Sequence, residues 1–184
     1  MRRHFAPVHR FFRGKVAGGV DDDLAQRSFV VALERADRFR QDGSMRAFLL
    51  GVARLELLNH YRKQRRTETP VDPAEMTVQD LGTAAPEALA RKDDRRLLAR
   101  ALRRLPLDLQ IAVELHYWEQ MSSFEIADVL DVPAPTIRSR LQRSRKLLEG
   151  LLAQLDGTPA ERTESLATLN AWVEQARDSR KGEG

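Results

Sequence analysis

LPLDLQIAVELHYWEQMSSFEIADVLDVPAPTIRSRLQRSRKLL, residues 105 to 148, reads as a helix, a short helix, a tight turn and a basic helix. Ser122-Ser123-Phe124-Glu125 has the form of a capping box: the Ser122 hydroxyl accepts from the Glu125 amide and the Glu125 carboxylate reaches back. Ile126, Ala127, Val129 and Leu130 then give the short helix one apolar face. Asp131-Val132-Pro133 stops it, and Pro133 and Pro135 are tolerated only in the first turn of the helix that follows. That last helix keeps Ile137, Leu141 and Leu148 on one side and carries Arg138, Arg140, Arg143, Arg145 and Lys146 around the rest. Two helices joined by a turn of a few residues, the second one basic, have the geometry of a major-groove reader. Periodicity alone fits a plain helical hairpin with a solvated basic face equally well; the density of arginine on one helix favours the reader.

On that helix Arg138, Ser139, Gln142 and Arg143 share a surface that can present donors to base edges, Arg to guanine and Gln to adenine. Arg140, Arg145 and Lys146 sit where phosphate contacts are expected, and these add affinity without sequence information. The net charge of the whole 184-residue chain is only +4, so the case for a polyanion rests on this clustering and not on the total.

Composition narrows the remaining classes. A charged fraction of 32% with 6% aromatic residues points to small helical units and not to a large sheet protein. The absence of cysteine excludes disulfides, Cys-ligated zinc and thiol catalysis. No apolar run reaches the length of a membrane span. The start, MRRHFAPVHRFFRGKV, lacks the uninterrupted apolar core and cleavage site of a signal peptide. The expectation is a cytoplasmic chain without membrane insertion. There is no HExxH, P-loop or GxSxG motif. His4, His9, His60 and His116 are scattered, and Asp21-Asp22-Asp23 reads as a helix cap and not as a metal site. No catalytic residue, metal, cofactor or small-molecule substrate is expected.

Upstream, Phe5, Val8, Phe11, Phe12 and Val16 are spaced as one face of a first helix, which Pro7 should prevent from starting much earlier. Gly18-Gly19 breaks it. The three aspartates open a second helix carrying Leu24, Phe29, Val30, Ala32 and Leu33, ending between Ala36 and Phe39. A third runs from Met45 to about Arg65, with Phe48, Leu49, Val52, Leu55, Leu58 and Tyr61 apolar, and finishes in the basic run Arg62 to Arg66. That run alone is better read as charge complementing the helix dipole. It gains weight from nearby Phe39, Phe48 and Tyr61, since aromatics beside basic groups are what single-stranded bases stack on. Each of these rings is nevertheless more readily a core residue, Tyr61 the least readily of the three. From Thr67 to about Leu89 the chain has prolines, acids and few large apolar groups, which reads as a linker. Helical pattern resumes from Glu87 to Leu102, and Pro106 starts a helix keeping Leu109, Ile111, Ala112, Val113, Leu115 and Trp118 largely buried. Beyond Asp156 a tail carries a short helical pattern with Leu166, Leu169, Trp172, Val173 and Ala176. Pattern does not decide among packing on the preceding module, contact with a regulator, and disorder.

In this order the parts resemble a bacterial RNA polymerase sigma factor of the sigma-70 family, extracytoplasmic-function type. The residues that carry the resemblance are VDDDLAQRSFVVALERADRFRQDGSMRAFLLGVARLELLNHYRKQRR, similar to region 2, and LPLDLQIAVELHYWEQMSSFEIADVLDVPAPTIRSRLQRSRKLL, similar to region 4. Phe48, Leu55, Asn59 and Arg27 depart from the residues frequent at their positions, and Asp131 and Pro135 replace common glycines. Asp131 tolerates the left-handed conformation better than most residues.

The resemblance implies an all-α protein: a three-to-four-helix bundle over 1–66, a flexible linker over 67–89, a helix-turn-helix domain over 90–152 and a tail over 153–184. It implies that Asp23, Leu24, Gln26 and Phe29 contact core RNA polymerase. Phe39, Ser44, Arg46, Phe48, Arg54, Tyr61, Arg62, Lys63, Arg65 and Arg66 would bind and help melt the −10 element. Thr136, Arg138, Ser139, Arg140, Gln142 and Arg143 would read the −35 element. Promoter DNA and core polymerase are the implied partners, with an anti-sigma factor as a further candidate. The alternatives are a stand-alone helix-turn-helix regulator and a sigma-like protein that titrates an anti-sigma factor. A linker of this length also lets the two domains fold against one another and mask their DNA surfaces.

Overall fold

The computed structural model describes residues 2–39, 44–64, 72–78 and 96–181, which form eight α-helices, one 3-10 turn and no strand. The first helix, α1 (Arg2–Phe12), begins before Pro7 and contains it. The N–H that Pro7 lacks would have met the carbonyl of Arg3 in the first turn, so only one bond near a frayed end is lost. Val8, Phe11 and Phe12 are buried and hold the helix against the rest.

α2 (Val20–Glu34) is entered through Gly19 at φ 87, a left-handed conformation that glycine adopts without penalty. No side chain caps this helix, contrary to the reading of the aspartates as a cap. Instead the Gly19 N–H donates to Asp21 Oδ1 at 3.1 Å, and the three acids act through the helix dipole. A 3-10 turn, Ala36–Arg38, ends the element. α3 (Met45–Gln64) starts at Ser44, whose hydroxyl accepts from the Ala47 amide at 3.4 Å, and buries Leu49, Leu50, Val52, Leu57 and Tyr61.

Part of the expected linker is anchored. Met76 and Val78 are buried, and the Met76 and Pro73 carbonyls accept from the amides of Leu107 and Asp108 at 2.7 and 3.1 Å. Those amides belong to the first turn of α5 and have no partner within their own helix. The rest of the linker reading, 67–71 and 79–89, lies outside the described residues, as do Arg65, Arg66 and the first part of the next helical pattern.

The remaining helices are α4 (Arg96–Leu102), α5 (Leu107–Tyr117), α6 (Ser123–Leu130), α7 (Ala134–Gln154) and α8 (Pro159–Lys181). Ser122 and Glu125 form both arms of the capping box, with N···O distances of 3.2 and 2.9 Å. Asp131 takes the left-handed conformation at φ 54, Pro133 caps α7 and Pro135 lies in its first turn. Trp118, expected to be largely buried, is 39% exposed. The chain turns at Gln120 (φ 52), and Met121 takes the interior position, its amide donating to the Leu115 carbonyl at 3.0 Å.

The tail is a 23-residue helix, longer than its pattern led us to expect. Thr158 and Glu161 cap it reciprocally, at 3.2 and 2.6 Å. It packs on α4 and α7 and buries Ser165 and Leu169. The side chains of Trp172, Val173 and Ala176 lie outside the description.

The helices before and after the linker share one core. Val8, Phe12, Leu50 and Leu57 belong to the same buried cluster as Leu107, Ile111, Leu115, Ile126 and Ile137. α3 lies on α6 closely enough that a Cβ on Gly51 would stand 3.9 Å from the Val129 Cα. A second cluster joins Leu97, Leu102, Leu109, Val113, Leu148, Leu152 and Leu169 behind α5.

Candidate nucleic-acid interface

The basic helix α7 is held by its apolar side. Ile137, Ser144, Leu148 and Leu152 are buried, and the Ser144 hydroxyl is satisfied by the Arg140 carbonyl at 2.8 Å. This orientation turns Arg138, Ser139, Gln142 and Arg143 to solvent and leaves Thr136 half-buried at the helix start. Ser139 donates to the Thr136 carbonyl at 2.9 Å, which leaves the oxygen free to accept. Arg140 differs from the other four: it points inward, its Nη1 3.1 Å from Asp108 Oδ2.

Along α3 the candidate residues divide in the same way. Phe39 and Phe48 meet edge to face at 5.5 Å, both half-buried at the entry to the helix beside Ser44. Arg62 and Lys63 are exposed at its far end, with Arg62 donating to Asn59 Oδ1 at 2.8 Å. Arg46 and Arg54 are turned inward. Arg54 Nη2 donates to Asp108 Oδ1 at 3.1 Å, and Arg46 donates to Glu119 Oε2. Tyr61 is fully buried and donates to the Lys15 carbonyl at 2.5 Å. Burial, with the Glu114 carboxylate nearby, pushes its phenol far above its ordinary range, so it stays a donor. A base reaches that ring only if the packing around it opens.

The inward cations, joined by the exposed Arg10, meet carboxylates from α5 and the turn after it. Arg10 spans both oxygens of Glu119 at 2.8 and 3.2 Å, and this hydrogen bonding raises its pKa further. Lys15, with no exposed surface, is bound by the Phe11 carbonyl at 2.7 Å and by Glu114, and lies 4.8 Å from the Phe11 ring centre. Pattern reading did not find this seam, since Asp108, Glu114 and Glu119 look like ordinary acids of an amphipathic helix; their only signal is their place between apolar residues that become core.

On α2, Asp23 and Gln26 are exposed, Phe29 is half-buried and stacked at 6.0 Å on Phe5, and Leu24 is buried. Val30 and Leu33, counted in sequence among the apolar face, are 55% and 58% exposed and continue the Asp23–Gln26 side. At the head of the same helix His9 Nε2 lies 3.4 and 3.1 Å from carboxylate oxygens of Asp21 and Asp22. Sequence spacing gave His9 no carboxylate partner; the fold supplies two. The three can be drawn as metal ligands, but direct imidazole–carboxylate contacts account for the same geometry.

The chain matches two family models: Sigma-70 region 2 over residues 1–67 and Sigma-70, region 4 over residues 95–148. It is 30% identical over 148 residues to the ECF RNA polymerase sigma-E factor of Escherichia coli (strain K12), covering 76% of this chain and 78% of that one. The protein of the same name from Haemophilus influenzae is 28% identical over 142 residues, covering 72% and 75%. In fold it is similar to the sigma factor RpoE of Bartonella quintana, solved in complex with the anti-sigma factor NepR, at a TM-score of 0.61 and 21% identity over 85% of this chain and 95% of that one. With both regions present in order and the relatives matched over three quarters of their length, the chain belongs to the sigma-70 family of RNA polymerase sigma factors, in its ECF group.

Proposed function

We propose that the chain brings core RNA polymerase to specific promoters as a two-part reader of DNA. The observation that carries this reading is the solvent-facing set Arg138, Ser139, Gln142 and Arg143, presented by a helix whose opposite side is locked into the core behind a capped α6 and a left-handed turn. In this reading Thr136 and that set, with Arg140 on phosphate, recognise the −35 element. Phe39, Ser44, Arg46, Phe48, Arg54 and Tyr61 act on an opened −10 element, with Arg62, Lys63, Arg65 and Arg66 on its backbone. The division is 1–66 for region 2, 67–89 for the linker, 90–152 for region 4 and 153–184 for the tail. The protein works by binding, without a reaction of its own.

Core polymerase docks on α2 through Asp23, Leu24, Gln26 and Phe29, and the exposed Val30 and Leu33 extend that surface. Burying two such apolar side chains is worth about 1.5–3 kcal/mol each. Val30→Glu combined with Leu33→Glu is therefore expected to weaken core binding at least about tenfold. An unchanged affinity in a pull-down or titration would move the docking surface elsewhere. An anti-sigma factor is a partner class the same reading admits.

The test of the whole reading is run-off transcription. Purified protein added to core polymerase should yield transcripts from a subset of native promoters. Silence across a genomic promoter pool would overturn it. Tight binding of one duplex site by the free protein, with no effect of core, would favour a stand-alone regulator instead.

A further inference from the structure

The tail helix α8 reaches a residue of the basic helix to which the proposed −35 contacts give no part. Arg145 follows Gln142 and Arg138 along α7. At about 100° and 1.5 Å per residue the three share a stripe roughly 60° wide, with Arg145 about 10 Å past Arg138. Its half-buried side chain is held from two sides. Nε donates to Glu149 Oε1 on the same helix at 2.9 Å, and Nη2 donates to Asn170 Oδ1 on α8 at 3.3 Å. We propose that α8 belongs to the DNA interface, and that Asn170 is a positioning residue that holds Arg145 for a backbone phosphate beside the −35 element. This rests on the proposed function, which lays the Arg138–Gln142 stripe on DNA.

The course of α8 is the first support. Arg162 Nη2 donates to the Leu155 carbonyl at 3.0 Å, and Arg145 meets Asn170. From Leu155 back to Arg145 is about 15 Å of helix, and from Arg162 on to Asn170 about 12 Å. α8 therefore runs back along α7, from the end that leaves the groove toward the end that reads it.

The second support is how firmly that course is set. Arg100 of α4 donates to the Asp156 carbonyl at 2.8 Å, and the reciprocal cap of Thr158 and Glu161 follows directly. Ser165 and Leu169 are buried, so the residue after Leu169 is placed by the core and not by its own exposed side chain.

The third support is the chemistry of the acceptor. Glu149 alone would draw Arg145 into an ion pair whose carboxylate DNA repels. The amide oxygen of Asn170 orients the guanidinium and leaves its charge undiminished. These two bonds use two of five N–H donors and fix one edge of the planar group, so its other donors can be presented to phosphate oxygens. A side chain ordered in advance loses less freedom when DNA arrives.

The test is a double-mutant cycle on the full chain, with and without core polymerase, titrated onto promoter duplex over a range of salt. Arg145→Ala should weaken binding about fivefold on every sequence and lower the log–log salt slope by about 0.9, the value of one phosphate. Asn170→Ala should weaken binding about threefold, again on every sequence, and should have no further effect once Arg145 is Ala. Asn170→Gln, which keeps a neutral acceptor, should recover most of the loss. Thermal melts of Asn170→Ala should match wild type, since Leu169 still docks α8.

An equal loss from Asn170→Ala in both backgrounds overturns the proposal, because α8 would then act through packing alone. Tighter binding by Asn170→Ala overturns it too, since Asn170 would be withholding Arg145 from DNA. An unchanged salt slope in Arg145→Ala removes the phosphate. Run-off transcription of the wild type separates this inference from the reading beneath it. Transcripts with an additive cycle defeat the role of Asn170 alone; a coupled cycle with no transcript from any promoter defeats the sigma reading and leaves a DNA contact set by α8.

Discussion

Arg143 and Arg140 stand three residues apart on one helix and have opposite environments, one facing solvent and one paired with Asp108. If Arg143 pairs bidentately with a guanine, Arg143→Ala loses about 1–3 kcal/mol at one base pair of the −35 element and little elsewhere. Equal loss on every −35 variant in a binding titration would make it a phosphate contact. His60 offers a test by pH. Burial, with Lys63 adding to it, lowers its pKa from the ordinary value of 6.5. A depressed folded pKa means that the unfolded chain binds the proton more readily. The contribution to stability is therefore present above about 6.5 and is lost as pH falls through the folded value. Thermal melts should show the melting temperature falling between pH 7 and 5, and His60→Gln should remove part of that fall. An identical pH profile in the variant would count against it.

α6 and α8 show what caps and packing each contribute to an element. α6 has only eight residues, too few to be stable alone, and depends on its capping box and on Ile126, Val129 and Leu130 in the core. Ser122→Ala removes one arm of the box and is expected to cost about 1 kcal/mol, seen as a lower denaturant midpoint with unchanged slope. α8 is bound to α4 and α7 through Leu169 and Ser165, so it is an added helix of the second module. Leu169→Ala should cost about 2–5 kcal/mol if the helix stays docked in solution. A change below about 0.5 kcal/mol would mean that α8 is undocked in the free protein.

At the scale of the molecule, the shared core couples the two halves. Ile111 on α5 lies in one cluster with Phe12, Leu50 and Leu57. In hydrogen exchange, Ile111→Ala should therefore speed the slow amides of α3 as well as those of α5. Acceleration confined to α5, α6 and α7 would show that the halves unfold independently. The same coupling explains why the acids of α5 matter. Asp108 of α5 and Glu119 just after it are buried, so water screens their attraction to the cations less than it would at the surface.

Local rules made much of this legible in sequence. Ser122 through Glu125, the left-handed Asp131 and the paired prolines specify helix, turn and helix within about fifteen residues, because caps and turns depend on neighbours in the chain. The arginine side of α7 followed from the 3.6-residue period, and the family followed from the order of the two helical modules. Other features came only from tertiary structure. The pairing of Arg54 and Arg140 joins residues far apart in sequence at one carboxylate. The burial of Tyr61, the partners of His9, the docking of α8 and the anchoring of Met76 are likewise contacts between distant segments. Periodicity says which side of a helix seeks cover; it carries no information about which helix provides it, or about which charges are buried there.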